Sequence, residues 1–240
     1  FGFVDHHIAE TLFGTLFCLC YIITLIEIRK NPVHFSDINS LKRPAVFALG
    51  TGIAYILGLA VMPTMILFAM IVAVYTLFQY LYDFWKEQSN DGLLLVNAIV
   101  FLCAAIGILF IGFNTTSLAM ARYSPAQVIA YFALIVATAV LWYLSRALRG
   151  KPWYYYPGIL AGVGVVLSVL LYIIAPDFYQ MLIGNFFAFF GQSAMVMTVQ
   201  EARPWEASLA WDAFGFGLLL MFGGFAALIW QFIRKGRAEH

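Results

Sequence analysis

The residues able to do chemistry lie in two short stretches near opposite ends of the chain. Near the start runs Phe3-Val4-Asp5-His6-His7-Ile8-Ala9-Glu10, a carboxylate and two imidazoles just ahead of a long apolar run. In an extended segment residues i and i+2 project to one side, so Asp5 and His7 can reach a single divalent cation while His6 turns away. Oxygen and imidazole donors suit Mn²⁺ or a related ion better than copper or clustered iron. A structural reading stands beside this one: Asp5 is a helix N-cap, accepting from an orphan N–H, and the histidines occupy a polar headgroup zone. The second stretch is Thr198-Val199-Gln200-Glu201-Ala202-Arg203-Pro204-Trp205-Glu206. Its apolar flank leaves Glu201 open to completing a metal site or holding a polar substrate group, whereas Glu206 reads as a solvated loop acid.

What must position these groups is a bundle of membrane helices. Of the 240 residues, 63% are hydrophobic and 10% are charged, against roughly a quarter charged in a soluble domain. A net charge of +1 gives no basic face for nucleic acid, so no nucleic-acid partner is expected. The expected partner is the lipid bilayer. Cys18, Cys20 and Cys103 all fall inside apolar runs and read as small core residues rather than as a disulfide or thiolate framework.

A spanning helix needs about 20 apolar residues, and irregular backbone cannot face lipid with its polar groups unpaired. Seven spans are expected, at about 8–28, 44–61, 64–84, 93–113, 125–144, 155–174 and 211–233. Between the second and third lie only Met62 and Pro63; proline removes a donor, which predicts a break and a tight helical hairpin. An all-α membrane domain covering residues 1–240 follows. The chain begins at Phe1 without an initiator Met, and reads as an excerpt of a longer protein.

Lysine and arginine orient such a bundle, because short cytoplasmic loops retain them. With the start outside, the inner segments hold Arg29, Lys30, Lys42, Arg43, Lys86, Arg146, Arg149, Lys151, Arg234, Lys235 and Arg237, leaving Arg122 and Arg203 outside, so that eleven of the 13 basic residues are inside. Asp5, His7 and Glu201 then share the outer face of a cell membrane. Residues 175–210 form the longest connection, on that face; its Phe186-Phe187-Ala188-Phe189-Phe190 run needs burial, so it is expected along the membrane surface or over a cavity. Gly158 and Gly162 form a small-xxx-small pair at which helices can approach. Glu27 and Asp83, near the inner helix ends, are expected to reach water.

The two polar stretches, their order and their shared face carry a resemblance to a known family. Asp5-His6-His7-Ile8-Ala9-Glu10 resembles the second acidic motif of the archaeal oligosaccharyltransferase catalytic subunit, a D-x-D or D-x-H pattern just before a membrane helix. Thr198-Val199-Gln200-Glu201 is similar to that family's T-I-x-E motif, with Val199 in place of isoleucine. The number of helices between them and the long fifth external loop also fit. The resemblance implies a GT-C type glycosyltransferase membrane domain that transfers a glycan from a lipid (dolichyl) phosphate or diphosphate carrier to asparagine in N-x-S/T sequons, at the extracytoplasmic face. It further implies that Asp5, His7 and Glu201 bind a catalytic Mn²⁺ or Mg²⁺, and that Asp5 and Glu201 act in catalysis. Glu201 would contact the acceptor amide, and Arg203 is a candidate for substrate phosphate. His6 would orient or pack, and Glu10 would accept an imidazole N–H. The family pattern also includes an earlier acidic residue, a later membrane arginine and a soluble W-W-D-Y-G domain, which these 240 residues do not carry; the chain alone is expected to be inactive.

Other classes compete. A transporter or channel would carry ionisable residues at mid-membrane, where they are costly and therefore functional, but here the middle of each span is nearly free of charge. A seven-helix receptor shares only the span count. Another lipid-carrier glycosyltransferase would share the Asp5 site without a reason for Thr198 to Glu201. Asn114-Thr115-Thr116 is a sequon-like triplet close to a helix end, to which no modification is assigned.

Overall fold

Helix α1 (His6–Lys30) is followed by α2 (Ile38–Val61), a 3₁₀ turn (Pro63–Met65) and α3 (Ile66–Trp85). Then come α4 (Asp91–Ile111), α5 (Pro125–Ala147), α6 (Tyr155–Ile174), α7 (Pro176–Ala188) and α8 (Phe216–Lys235). This computed structural model describes residues 6–88, 90–113, 122–188, 211 and 214–235. Six of the described segments are long and apolar enough to cross a membrane: α1, α2, Pro63–Trp85, α4, α5 and α6.

Local chemistry explains where the helices start and stop. Asp37 caps α2 by accepting from the Asn39 N–H at 3.0 Å, which starts the helix at Ile38 and carries Pro44 inside it, six residues earlier than hydropathy places the span. Asn90 does the same for α4, accepting from the Leu93 N–H at 3.0 Å. Pro125 opens α5 at a position where a missing N–H costs nothing. The expected break is present, with Met62 extended (φ −149°) between α2 and the turn, but the helices on either side do not form a packed hairpin: α2 lies against α1 and α4, and α3 against α5. The seventh expected span corresponds to α8, whose described apolar stretch, Phe216–Gln231, is shorter than the others. Gly215, at φ 48°, takes a left-handed conformation just before α8, and its N–H donates to the Trp211 carbonyl at 2.7 Å.

The chain divides into two compact units, Phe1–Pro157 and Gly158–His240. In the first, α2 packs against α1 and α4, and α5 packs against α3 and α4. The core runs through fully buried Ala48, Tyr55 and Leu59 of α2 and Leu93, Val96, Val100 and Ala104 of α4. Glycine makes the α2–α4 approach possible. A Cβ on Gly52 would lie 2.8 Å from the Cys103 Cβ, and one on Gly107 would lie 2.8 Å from Ile56 Cγ1. In a bilayer, where lipid is as apolar as leucine, such close packing supplies much of the association energy. Among the described residues a Cβ at Gly158 or Gly162 meets open space.

In the second unit the long connection from residue 175 begins with structure. Pro176 breaks α6 and opens α7, with Asp177 in the first turn where a carboxylate complements the helix dipole. Tyr172 and Tyr179 meet edge to face across that break, ring centroids 5.5 Å apart. Residues 189–210, the rest of the connection, lie outside the described ones.

Candidate functional site

Polar side chains of the first unit gather at both ends of the bundle, named here by the ends of α1. At the Lys30 end three acids are buried. Asp91, at the start of α4, accepts from Arg146 at 2.7 and 3.0 Å and from the Trp142 indole at 2.9 Å, tying α4 to α5. The Arg146 guanidinium also lies 4.8 Å from the Trp142 ring centroid, so one arginine uses both its charge and its flat face. Glu27 pairs with Arg43 at 2.6 Å and accepts from Asn31 at 2.7 Å. Asp83 accepts from Gln79 and Asn90, both at 2.7 Å. The expectation that Glu27 and Asp83 reach water is therefore corrected: they are 6% and 5% exposed. A carboxylate so buried requires charged or hydrogen-bonding partners, and each has them.

Midway along the bundle the polar groups are neutral. Tyr21 of α1 donates to Asn97 Oδ1 of α4 at 2.7 Å, and Asn97 Nδ2 donates to Thr76 of α3 at 2.7 Å. Thr24 and Thr51 share a hydrogen bond of 2.8 Å between α1 and α2. These contacts knit four helices without placing a charge in the membrane interior, as the nearly charge-free span centres predict.

At the His6 end the side chains serve the backbone. Pro63 interrupts the helical ladder and, having no N–H, leaves the Leu59 carbonyl without its helical donor. Tyr123 donates to the Leu59 carbonyl at 2.6 Å, Gln127 Nε2 to the Pro63 carbonyl at 3.0 Å, and Tyr55 to the Met65 carbonyl at 2.8 Å. Burial pushes the Tyr123 phenol up, so it keeps the proton it donates. Tyr55 also shares a 3.0 Å hydrogen bond with Tyr131 of α5. Glu10 completes the set: its Oε1 accepts from Thr64 at 2.7 Å and joins the first helix to the α2–α3 turn.

Of the sequence-derived site, Glu10 is thus placed at the His6 end, half-buried. His6 and His7 form the first turn of α1. Their helical backbone replaces the extended geometry on which the i, i+2 argument for Asp5 and His7 rests. Asp5, Glu201, Arg203 and the sequon-like Asn114 lie outside the described residues, as do the side chains of His6 and His7. Among the described residues no three His, Cys, Asp or Glu side chains converge as metal ligands. Sequence reasoning missed the Asp91–Arg146–Trp142 cluster and the carbonyl-capping roles of Tyr123 and Gln127. The signal for the first was an Asn-Asp pair opening an apolar helix; for the second it was the proline break, which demands donors from somewhere.

No family profile matches the chain. It is 25% identical, over 219 residues, to the dolichyl-monophosphooligosaccharide–protein glycotransferase AglB of Haloferax volcanii, a match covering 86% of this chain and 20% of that protein. The archaeal oligosaccharyltransferase AglB from Archaeoglobus fulgidus, solved in complex with an inhibitory peptide and a dolichol-phosphate, superposes with a TM-score of 0.76 at 19% identity, over 97% of this chain and 28% of that one. The Archaeoglobus fulgidus oligosaccharyltransferase tethered by a disulfide to an acceptor peptide containing the NVT sequon gives a TM-score of 0.62 at 18% identity, over 98% and 27% of the two chains. The chain is homologous to AglB and has the fold of its membrane-helix domain, while spanning 20% of the length of the curated relative.

Proposed function

We propose that this chain is part of the membrane domain of an oligosaccharyltransferase, which transfers a glycan from a dolichyl phosphate or diphosphate carrier to asparagine in N-x-S/T sequons. The observation that carries the proposal is a coincidence of scales. The similarity to AglB runs along 86% of the chain, and the two family-like motifs, around Asp5 and Thr198–Glu201, stand near its opposite ends. A dolichol-phosphate and an NVT acceptor peptide occur with the two solved relatives, which supports a lipid-linked oligosaccharide and a sequon-bearing polypeptide as the partners here.

In this reading Asp5 and His7 enter from the start of α1 and Glu201 from the connection preceding α8, on the extracytoplasmic face implied by the lysine and arginine distribution. Their carboxylate and imidazole donors fit Mn²⁺ or Mg²⁺, which would supply charge stabilisation for a departing phosphate. Glu201 holds the acceptor amide, a poor nucleophile that gains most from being fixed in place. Glu10, through Thr64, ties α1 to the turn between α2 and α3.

The test is glycan transfer to an N-x-T peptide by the full-length protein. Asp5→Ala and Glu201→Ala are each expected to lower transfer by roughly 10²-fold or more, with retention of the folded protein checked by thermal unfolding. Unchanged metal-dependent transfer in both variants contradicts the assignment.

A further inference from the structure

A second site lies at the Lys30 end of the bundle, away from Glu10 and Thr64. A small cleft of about 50 Å³ opens between two helix ends, lined on one side by Phe84 and Trp85 at the end of α3 with Glu87 and Gln88 of the turn after it, and on the other by Ser145 near the end of α5 with Arg149, Lys151 and Trp153 of the turn after it. That is more room than one water molecule requires.

The cations of this cleft differ from the two neighbouring arginines that clamp helices together at the same end. Arg43 and Arg146 are committed to Glu27 and Asp91. Arg149 and Lys151, both exposed, form no ion pair among the described residues, although Glu87 lines the same cleft. Basic residues often follow a helix simply to satisfy its last carbonyls, but here the backbone does that work. Leu148 N–H donates to the Leu144 carbonyl, Arg149 N–H to Arg146, and Lys151 N–H to Leu148; across the cleft Lys86 and Glu87 N–H groups close the end of α3. Gly150, at φ 83°, lets the α5–α6 turn fold back within this short stretch.

The surroundings are those of a membrane–water boundary. Trp85 and Trp153 line the cleft with 58% and 63% of their surface exposed, and Tyr154 follows at 57%. Lys86 Nζ lies 4.3 Å from the Trp85 ring centroid. Exposed aromatic rings at the ends of apolar helices sit at headgroup depth, where a phosphodiester is the commonest anion. Basic pockets between helices at this depth suit acidic lipid headgroups.

We propose that the cleft between the α3–α4 and α5–α6 turns binds the headgroup phosphate of an acidic phospholipid, with Arg149 and Lys151 as its cationic partners and Trp85 and Trp153 as its interfacial walls. The site is separate from the proposed transfer chemistry and stands whether or not that chemistry is assigned correctly. Glu87 is the counterweight: its charge opposes the phosphate and limits the affinity.

The full-length protein, reconstituted in phosphatidylcholine nanodiscs containing a minor fraction of phosphatidylglycerol, tests this by native mass spectrometry of retained lipid. The wild type retains phosphatidylglycerol in preference to phosphatidylcholine. R149Q and K151Q each lower that preference by roughly fivefold, the effect of one cation near a lipid surface, and E87Q raises it. These are exposed positions, so thermal unfolding stays at the wild-type value. Equal retention in wild type and the R149Q/K151Q variant overturns the proposal. So does displacement of phosphatidylglycerol by equimolar inorganic phosphate, which would mark a site for a free anion rather than a lipid.

Discussion

The two ends of the first unit solve different problems. At the Lys30 end, three buried carboxylates are closed off by partners inside the protein: Glu27 by Arg43 and Asn31, Asp83 by Gln79 and Asn90, and Asp91 by Arg146 and Trp142. At the His6 end the hydrogen-bonding side chains hold backbone instead, with Tyr123, Gln127 and Tyr55 on the carbonyls around the Pro63 break. Irregular backbone at membrane depth survives only when its polar groups are met within the protein. The contrast teaches that one end uses its charges internally to fix helix against helix, while the other fixes the shape of a turn and ties it to the first helix through Glu10.

The largest stability effect expected is at the Lys30 end. Asp91→Ala leaves Arg146 without its carboxylate and Trp142 without its acceptor; because the Arg146 side chain is 46% exposed, the cost is about 3 kcal/mol, the low end for breaking a buried pair. Thermal unfolding of the full-length protein in detergent checks it. An unchanged midpoint would mean that the ion pair does not clamp α4 to α5. At the His6 end, Tyr123→Phe removes one donor from the Leu59 carbonyl and is expected to cost about 1 kcal/mol. A loss as large as that of Asp91→Ala would erase the contrast between the ends. Smallest is Thr64→Val, which deletes the hydroxyl given to Glu10 but keeps its shape. About 0.6 kcal/mol is expected, the average for a hydrogen bond between membrane helices.

The bundle was legible in the sequence because spans are written in hydropathy over some twenty residues at a time. Helix starts were less legible, since a single side chain such as Asp37 extends α2 beyond the apolar run. The partners of buried acids were not legible at all. Glu27 and Asp83 stand near helix ends, where exposure is the natural expectation, and only tertiary packing brings Arg43 and Asn90 onto them. Asp91 and Arg146 are 55 positions apart, a distance that no local pattern bridges. For the proposed site the balance is reversed. Asp5 and Glu201 were singled out by motif and resemblance and lie outside the described residues; the described structure contributes the Glu10–Thr64 link and the capped turn.

The most direct test of this division is one crossed measurement: glycan transfer and thermal unfolding recorded side by side for Asp5→Ala and Asp91→Ala in the full-length protein. The account predicts that Asp5→Ala loses transfer with an unfolding midpoint like the wild type, and that Asp91→Ala lowers the midpoint while the folded fraction still transfers glycan. Transfer that survives in Asp5→Ala, or a folded Asp91→Ala protein with no activity, would contradict it.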